Sequence, residues 1–479
     1  MNSKEQTENS GEQQAGFMRN KRFWRHLRVE QHLLNHDLAV TLAHVRMLGA
    51  TGIIDSDTAS TVLSGLSQIE QELSAGNSFL KEQHTDIHSA LEERLRELIG
   101  DLSATLRIAR SKHDQVATDI RLWLRAALLD IFALILELRG QLVVLAERDL
   151  EIVMPGYTHM QPARPILLAH WWLANESRFA SDCGRLTDLY RRLNVLPLGA
   201  AAGTDKPIDR AQVCAELGFD DLIDNSLYAI SDRDYLVEFG SFASLVGVHI
   251  AQIADDLLLW ATQEFGFVKL RNALLLGSQS APKKSGQVAL ELMRSRPAGI
   301  AGRLVEFIAI LKAVPIGYCQ DLQECLPAAF DIVDNIKLLL ELSAAVVPAV
   351  ELNALRMREM ASADLTNSGA AMDFLVDCGI PIDRASKVVE QLLNYCKQRN
   401  KNLCDLELNE WQQFCPAFDE EIYQHVTIEE SVGSPSYPGS TLLDQIGSEL
   451  DRAKGRLEQD KNSLSSPEAT RKKQAGLNV

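Results

Sequence analysis

The 479-residue sequence is poor in chain breakers, with 28 glycines and 15 prolines, and that scarcity leaves room for long helices. It has no run of 18 apolar residues. The most apolar stretch, 126–138, carries Asp130 and Glu137, so it reads as a buried helix rather than a membrane span. Paired cysteines are also missing. Cys183, Cys214, Cys319, Cys325, Cys378, Cys396, Cys404 and Cys415 are scattered with no CxxC, as expected of free thiols in a reducing, cytoplasmic setting. No HExxH and no Cys/His cluster appears, so no metal site is expected. No GxGxxG follows a strand-like run, which argues against a dinucleotide, and no other cofactor is expected. Positive charge is in deficit: 48 Lys and Arg against 65 Asp and Glu give a net charge of −17. That excess disfavours nucleic acid or an anionic membrane as a partner, while a locally basic site for a small anion stays open. The opening segment MNSKEQTENSGEQQAG is polar and lacks the apolar core of a signal peptide.

What is present is helical periodicity. The chain exceeds the size at which one hydrophobic core stops growing, so two or three domains are expected. Residues 1–20 read as a disordered tail. Residues 21–114 hold short amphipathic patterns broken by Gly49, Gly52, Gly76 and Gly100. Residues 115–364 differ. The stretches 115–138, 234–265, 303–314 and 330–346 are apolar on several faces, the pattern of helices buried among helices in a bundle. Residues 365–460 carry shorter helices over 370–377, 383–398 and 441–458, with a loop at 433–439. Residues 461–479 read as a second tail. Strand alternation is hard to find, and the fold class expected is all-α: three mostly helical domains around a central long-helix bundle.

Four polar segments stand out. Thr85-Asp86-Ile87-His88 followed by Glu92 reads either as a capped helix start or as a functional helix face. Arg110-Ser111-Lys112-His113-Asp114 puts two cations, a hydroxyl and an imidazole at the start of a long helix, a natural carboxylate or phosphate site. Pro155-Gly156-Tyr157-Thr158-His159-Met160-Gln161-Pro162 fixes Thr158 and His159 between prolines, where an imidazole can move protons. Gly277-Ser278-Gln279-Ser280-Ala281-Pro282-Lys283-Lys284-Ser285-Gly286 sets lysines beside hydroxyls and free N–H groups, a composition that suits an anion or a mobile surface loop. Each segment taken alone is weak.

Taken in order, they resemble the argininosuccinate lyase family of the fumarase/aspartase superfamily, from about Asp37 to Gly455. Nearly intact stretches are Asp114-Gln115-Val116-Ala117-Thr118-Asp119, Pro155-Gly156-Tyr157-Thr158-His159-Met160-Gln161, Asn225-Ser226-Leu227, Ser231-Asp232-Arg233-Asp234, Glu264-Phe265-Gly266-Phe267-Val268 and Asp321-Leu322-Gln323-Glu324. The resemblance implies a homotetramer whose active sites combine segments of three subunits, and a carbon–nitrogen lyase that releases fumarate without a cofactor. It implies that Ser278 acts on the Cβ proton, with Thr158 and His159 across the site and Glu291 paired to the histidine. It further implies that Lys284 and Ser111 hold a substrate carboxylate and that Tyr318 and Gln323 line the site. Lys112, His113, Asp86, His88 and Arg233 also match the family's substrate-binding positions.

The departures gather at substrate-holding positions. The family's Ser-Arg-Asn is Ser111-Lys112-His113, which exchanges a bidentate guanidinium for a point charge and an amide for an imidazole. The loop's second Lys and its Asn are Ser285 and Gly286, a third Lys is Leu326, and Arg28 stands near a substrate-binding serine. Three functions therefore stay open: cleavage of argininosuccinate to arginine and fumarate; the same chemistry, in either direction, with another amine; and a weakly catalytic homologue with a structural role.

Overall fold

Ser111 sets the longest element of the computed structural model, which describes residues 30–81, 84, 86–201, 203, 206–270, 285–362, 364–427 and 443–464. Its hydroxyl accepts a hydrogen bond from the His113 N–H at 3.3 Å and starts a helix that runs 37 residues, Lys112–Arg148. Helices longer than ten residues are α1 (Leu34–Ala50), α2 (Ser56–Ser74), α3 (Ile87–Ile99), α4 (Lys112–Arg148), α5 (Leu168–Leu193), α6 (Asp234–Trp260), α7 (Ser285–Ser295), α8 (Pro297–Leu311), α9 (Cys325–Val346), α10 (Asp364–Asp377), α11 (Ile382–Arg399) and α12 (Leu443–Leu464). The fold is mostly helical, as the periodicity predicts. The last helix runs to Leu464, four residues into the stretch expected to be a tail, because Leu450, Ala453 and Leu457 continue one apolar stripe. Residues 1–29, 271–284, 428–442 and 465–479 fall outside the described residues, and with them the expected first tail, most of the second and the expected 433–439 loop.

The bundle is built by α4, α5, α6, α8 and α9. α4 packs on α5, α9 and α12, and α6 packs on α5, α7, α8 and α9. Their apolar residues form one large cluster that includes Ile120, Leu128, Trp172, Phe239, Leu257, Phe307 and Leu340. A second cluster joins α1, α2 and α3 to Leu122, Leu196 and Val213, and a third holds Phe374, Leu392, Trp411 and Phe418. By length and composition α6 could cross a membrane, with a mean window hydropathy of 1.4, but its apolar face lies inside the large cluster. One buried ion-pair network couples three helices. Arg139 donates to Glu176 at 2.8 and 2.9 Å, Arg456 reaches the other Glu176 oxygen at 3.1 Å, and Arg139 also meets Asp460, tying α4, α5 and α12 together.

Strands are present where none is expected. β1 (Val153–Thr158) and β2 (Gln161–Leu167) form an antiparallel hairpin; β3 (Val195–Leu196) pairs with β4 (Asp221–Leu222) in parallel, and β5 (Val268–Leu270) with β6 (Val350–Leu352) antiparallel. The rigid connection expected at 155–162 is this first hairpin. Its prolines hide the alternation that a strand usually shows. Gly156 sits at the register shift between Pro155 and Tyr157, where a Cβ would meet the Arg164 carbonyl oxygen at 2.7 Å. All eight cysteines are free, as expected.

Candidate active site

The start of α4 gathers most of the site residues that the sequence singles out. Asp86 caps α3 by accepting from the Ser89 N–H at 2.8 Å, and its other oxygen accepts from Lys112 Nζ at 2.6 Å. Burial pushes the Asp86 carboxyl up, but these donors outweigh it and hold the carboxyl at about 2. The His113 ring stacks on Tyr318 at 4.0 Å and 14°. Burial and then the Lys112 charge lower the imidazole's pKa. Gln323 Nε2 donates to the Tyr318 oxygen at 2.7 Å, and burial raises the phenol. Lys112, Arg233 and Glu30 act electrostatically on the same phenol, which places them around it. Arg233 is 1% exposed; Nη1 donates to the Asp232 carbonyl at 2.6 Å, while Nε and Nη2 have no hydrogen-bond partner.

Behind this surface lies a polar layer that draws His88 inward and adds Glu30, Asp37 and Thr41, which the motifs did not flag. His88 Nδ1 is 2.8 Å from Asp37 Oδ1, and Gln115 Nε2 donates to the same oxygen. Arg110 Nη1 donates to Thr41 Oγ1 at 3.0 Å, directed inward by Ala109, a non-glycine residue at φ 53°. Glu30 accepts from the Ile87 N–H at 3.3 Å, and burial raises its pKa. Asp119 is fully buried with both oxygens unpartnered. A signal was available: Asp37, Thr41 and His44 recur at helical spacing among the buried apolar residues of α1, a buried polar stripe.

Thr158, His159 and Glu291 stand apart from this cluster in the single chain. Thr158 and His159 lie at the hairpin tip and are exposed. His159 and Met160 have φ of 52° and 59°, so the two-residue turn is left-handed at both positions without glycine or asparagine. Such strain marks functional loops more often than idle ones. Glu291 is exposed on α7 and bonds no histidine, so the expected pairing with His159 is not made within one chain. The two side chains belong to separate elements that face outward. Thr85, Ser278 and Lys284 lie outside the described residues.

A "Lyase" family model matches residues 10–302, and an "Argininosuccinate lyase C-terminal" model matches 365–433. An argininosuccinate lyase of Syntrophotalea carbinolica is 37% identical over 89% of this chain and 93% of its own length. The chain belongs to the argininosuccinate lyase family. A second member, from a Synechococcus species, is 41% identical over 89% of this chain and 88% of its own length. Among solved structures, EDDS lyase in complex with formate superposes with a TM-score of 0.85 at 25% identity, covering 94% of this chain and 91% of that one. Class II fumarase of Schistosoma mansoni shares the fold alone, with a TM-score of 0.69 at 14% identity over 84% of this chain and 90% of that one. As an argininosuccinate lyase family member the chain is a carbon–nitrogen lyase, and the cluster at the start of α4 is where its polar chemistry concentrates.

Proposed function

We propose that this chain cleaves argininosuccinate to arginine and fumarate. The carrying observation is identity of 37–41% to curated argininosuccinate lyases across nine-tenths of the chain. In this reading Ser278, Thr158, His159, Lys284 and Glu291 take the roles that the sequence resemblance implies. Ser278 takes the Cβ proton, the Cα–N bond breaks, and the electron pair of the lost C–H bond becomes the fumarate double bond. The nitrogen leaves with the pair of the broken C–N bond and receives a proton from His159. Proton loss beside a carboxylate creates a doubly negative intermediate, which Lys284 and loop N–H groups stabilise. The alkoxide form of a serine is out of reach unless those same dipoles lower its pKa.

Assembly completes the site in this reading. His159 and Glu291 are exposed, and large apolar side chains stand in solvent on three bundle helices: Val248 at 46% on α6, Val305 at 65% and Ile308 at 51% on α8, Leu338 at 42% on α9. A homotetramer that covers this face brings the hairpin tip, the 277–284 loop and the start of α4 together from different subunits. Rescue of an arginine auxotroph tests the reading in cells. Growth supports it, and failure of well-expressed protein to rescue counts against it.

A second reading, the same elimination with another amine, has its own observation. Lys112 is tied to Asp86 and His113 is closed on Tyr318, so both altered positions are already engaged. Fumarate incubated with a panel of amines and searched by mass for adducts distinguishes the two.

A further inference from the structure

Asp37, His88 and Asp119 come from three different helices, α1, α3 and α4, and each offers a ligand atom within 4.8 Å of the others. Donors that share one ion through bonds of about 2.0–2.2 Å lie at most about 4.4 Å apart, so a small inward shift of these side chains closes the set on a metal. Asp37 and Asp119 are both 0% exposed. Asp37 Oδ2 and both Asp119 oxygens have no hydrogen-bond partner, although buried carboxylates are normally paired or metal-bound. A further donor stands outside the acidic set. Gln115 is 1% exposed, its amide nitrogen lies on Asp37, and its carbonyl oxygen has no partner.

Charge points the same way. Among the strongest electrostatic influences on Asp119, Asp37, Glu30 and Asp114 are acidic and Arg110 is a cation. The Asp114 Oδ2 atom is served by the Gly199 and Ala201 N–H groups at 2.9 and 3.2 Å, but nothing serves Asp119.

We propose that Asp37, His88 and Asp119, with the Gln115 carbonyl, bind a divalent transition cation of the Mn2+ or Zn2+ class. Two carboxylates and an amide oxygen suit Mn2+, and the imidazole admits Zn2+. The ion pins α1, α3 and α4 together directly behind the cluster of Asp86, Lys112 and His113, so its role is structural and lies outside the elimination chemistry. Separate helices supply the ligands, which is why no spacing motif betrays the site.

The test uses full-length protein stripped with a chelator and titrated with Mn2+. The expected result is one Mn2+ bound per chain, a higher melting temperature, and a nitrogen coupling from one imidazole in pulsed electron paramagnetic resonance. Asp119→Asn should weaken Mn2+ binding at least tenfold. If that variant does not fold, the stoichiometry and the nitrogen coupling of the wild-type protein decide alone. Absence of stoichiometric binding, or binding without nitrogen coupling, overturns the proposal. A melting temperature that rises in Asp119→Asn while neither Mn2+ nor Zn2+ binds also overturns it and identifies a shared proton as the neutralising species.

Discussion

At the scale of the residue, the account divides the chemistry between groups that move protons and groups that hold substrate. His159→Asn keeps a polar side chain in the left-handed turn, which asparagine tolerates well. Loss of a general acid or base costs roughly 100- to 10,000-fold in rate. We therefore expect kcat to fall in that range with the melting temperature unchanged. Retention of full activity would remove His159 from the mechanism. His113 acts differently. Its stack on Tyr318 is of a kind worth about 0.5–1.5 kcal/mol. His113→Ala should raise KM up to roughly tenfold with little change in kcat, since about 1.4 kcal/mol is a factor of ten. A fall in kcat at constant KM contradicts a binding role. The site residues named from the sequence were legible because reactive side chains crowd at helix starts and at a proline-framed turn. Their partners were not: nothing in the order of residues says that Lys112 meets Asp86, 26 positions away, or that His88 meets Asp37, 51 positions away. Those contacts arise when helices pack.

At the scale of the element, stability rests on buried groups that couple helices. Arg139 and Glu176 both have 0% side-chain exposure. Removal of one partner of a buried pair costs about 3–5 kcal/mol. Arg139→Met should fall near the lower bound, because Arg456 still reaches Glu176 at 3.1 Å, and chemical denaturation measures it. A loss under 1 kcal/mol, well below that estimate, would show that the pair is dispensable. The α1 histidines make the fold acid-sensitive. Burial and then Arg125 hold His36 down at about 4, and burial and then Arg110 do the same to His44. A base with a lower pKa folded than unfolded binds protons preferentially when unfolded. Its contribution is complete above the unfolded value of 6.5 and is lost as the pH falls toward 4. Asp114, raised to about 6 chiefly by burial, works in the opposite sense between 3.8 and 6. A variant isolates the histidine. His36→Gln should lose less melting temperature between pH 7 and pH 5 than the wild-type protein, and an equal loss contradicts this assignment. Long helices were readable because 115–138 and most of 234–265 lack breakers. The β1–β2 hairpin was not, because prolines at 155, 162 and 165 replace the alternating pattern, and backbone pairing rather than side-chain period defines it.

At the scale of the whole molecule, the described residues of a single chain leave Thr158, His159 and Glu291 exposed and apart from the cluster at the start of α4. The exposed Val305 and Ile308 on α8 lie on the face assigned to assembly. Val305→Asp with Ile308→Asp should convert a tetramer to smaller species in light scattering and abolish turnover, with helical content kept. Full activity in a monomer would contradict the shared site. Mixed oligomers give a complementary check: Ser278→Ala and His159→Asn chains, each inactive alone, should regain partial activity when unfolded and refolded together. The central claim is the reaction itself, and the most direct measurement is ultraviolet absorbance of fumarate after purified protein is mixed with argininosuccinate, with Ser278→Ala as control. The account predicts steady fumarate release with equimolar arginine from the wild-type protein and none from Ser278→Ala. No fumarate from folded wild-type protein would contradict argininosuccinate as the substrate, and equal release by the variant would contradict Ser278 as the base.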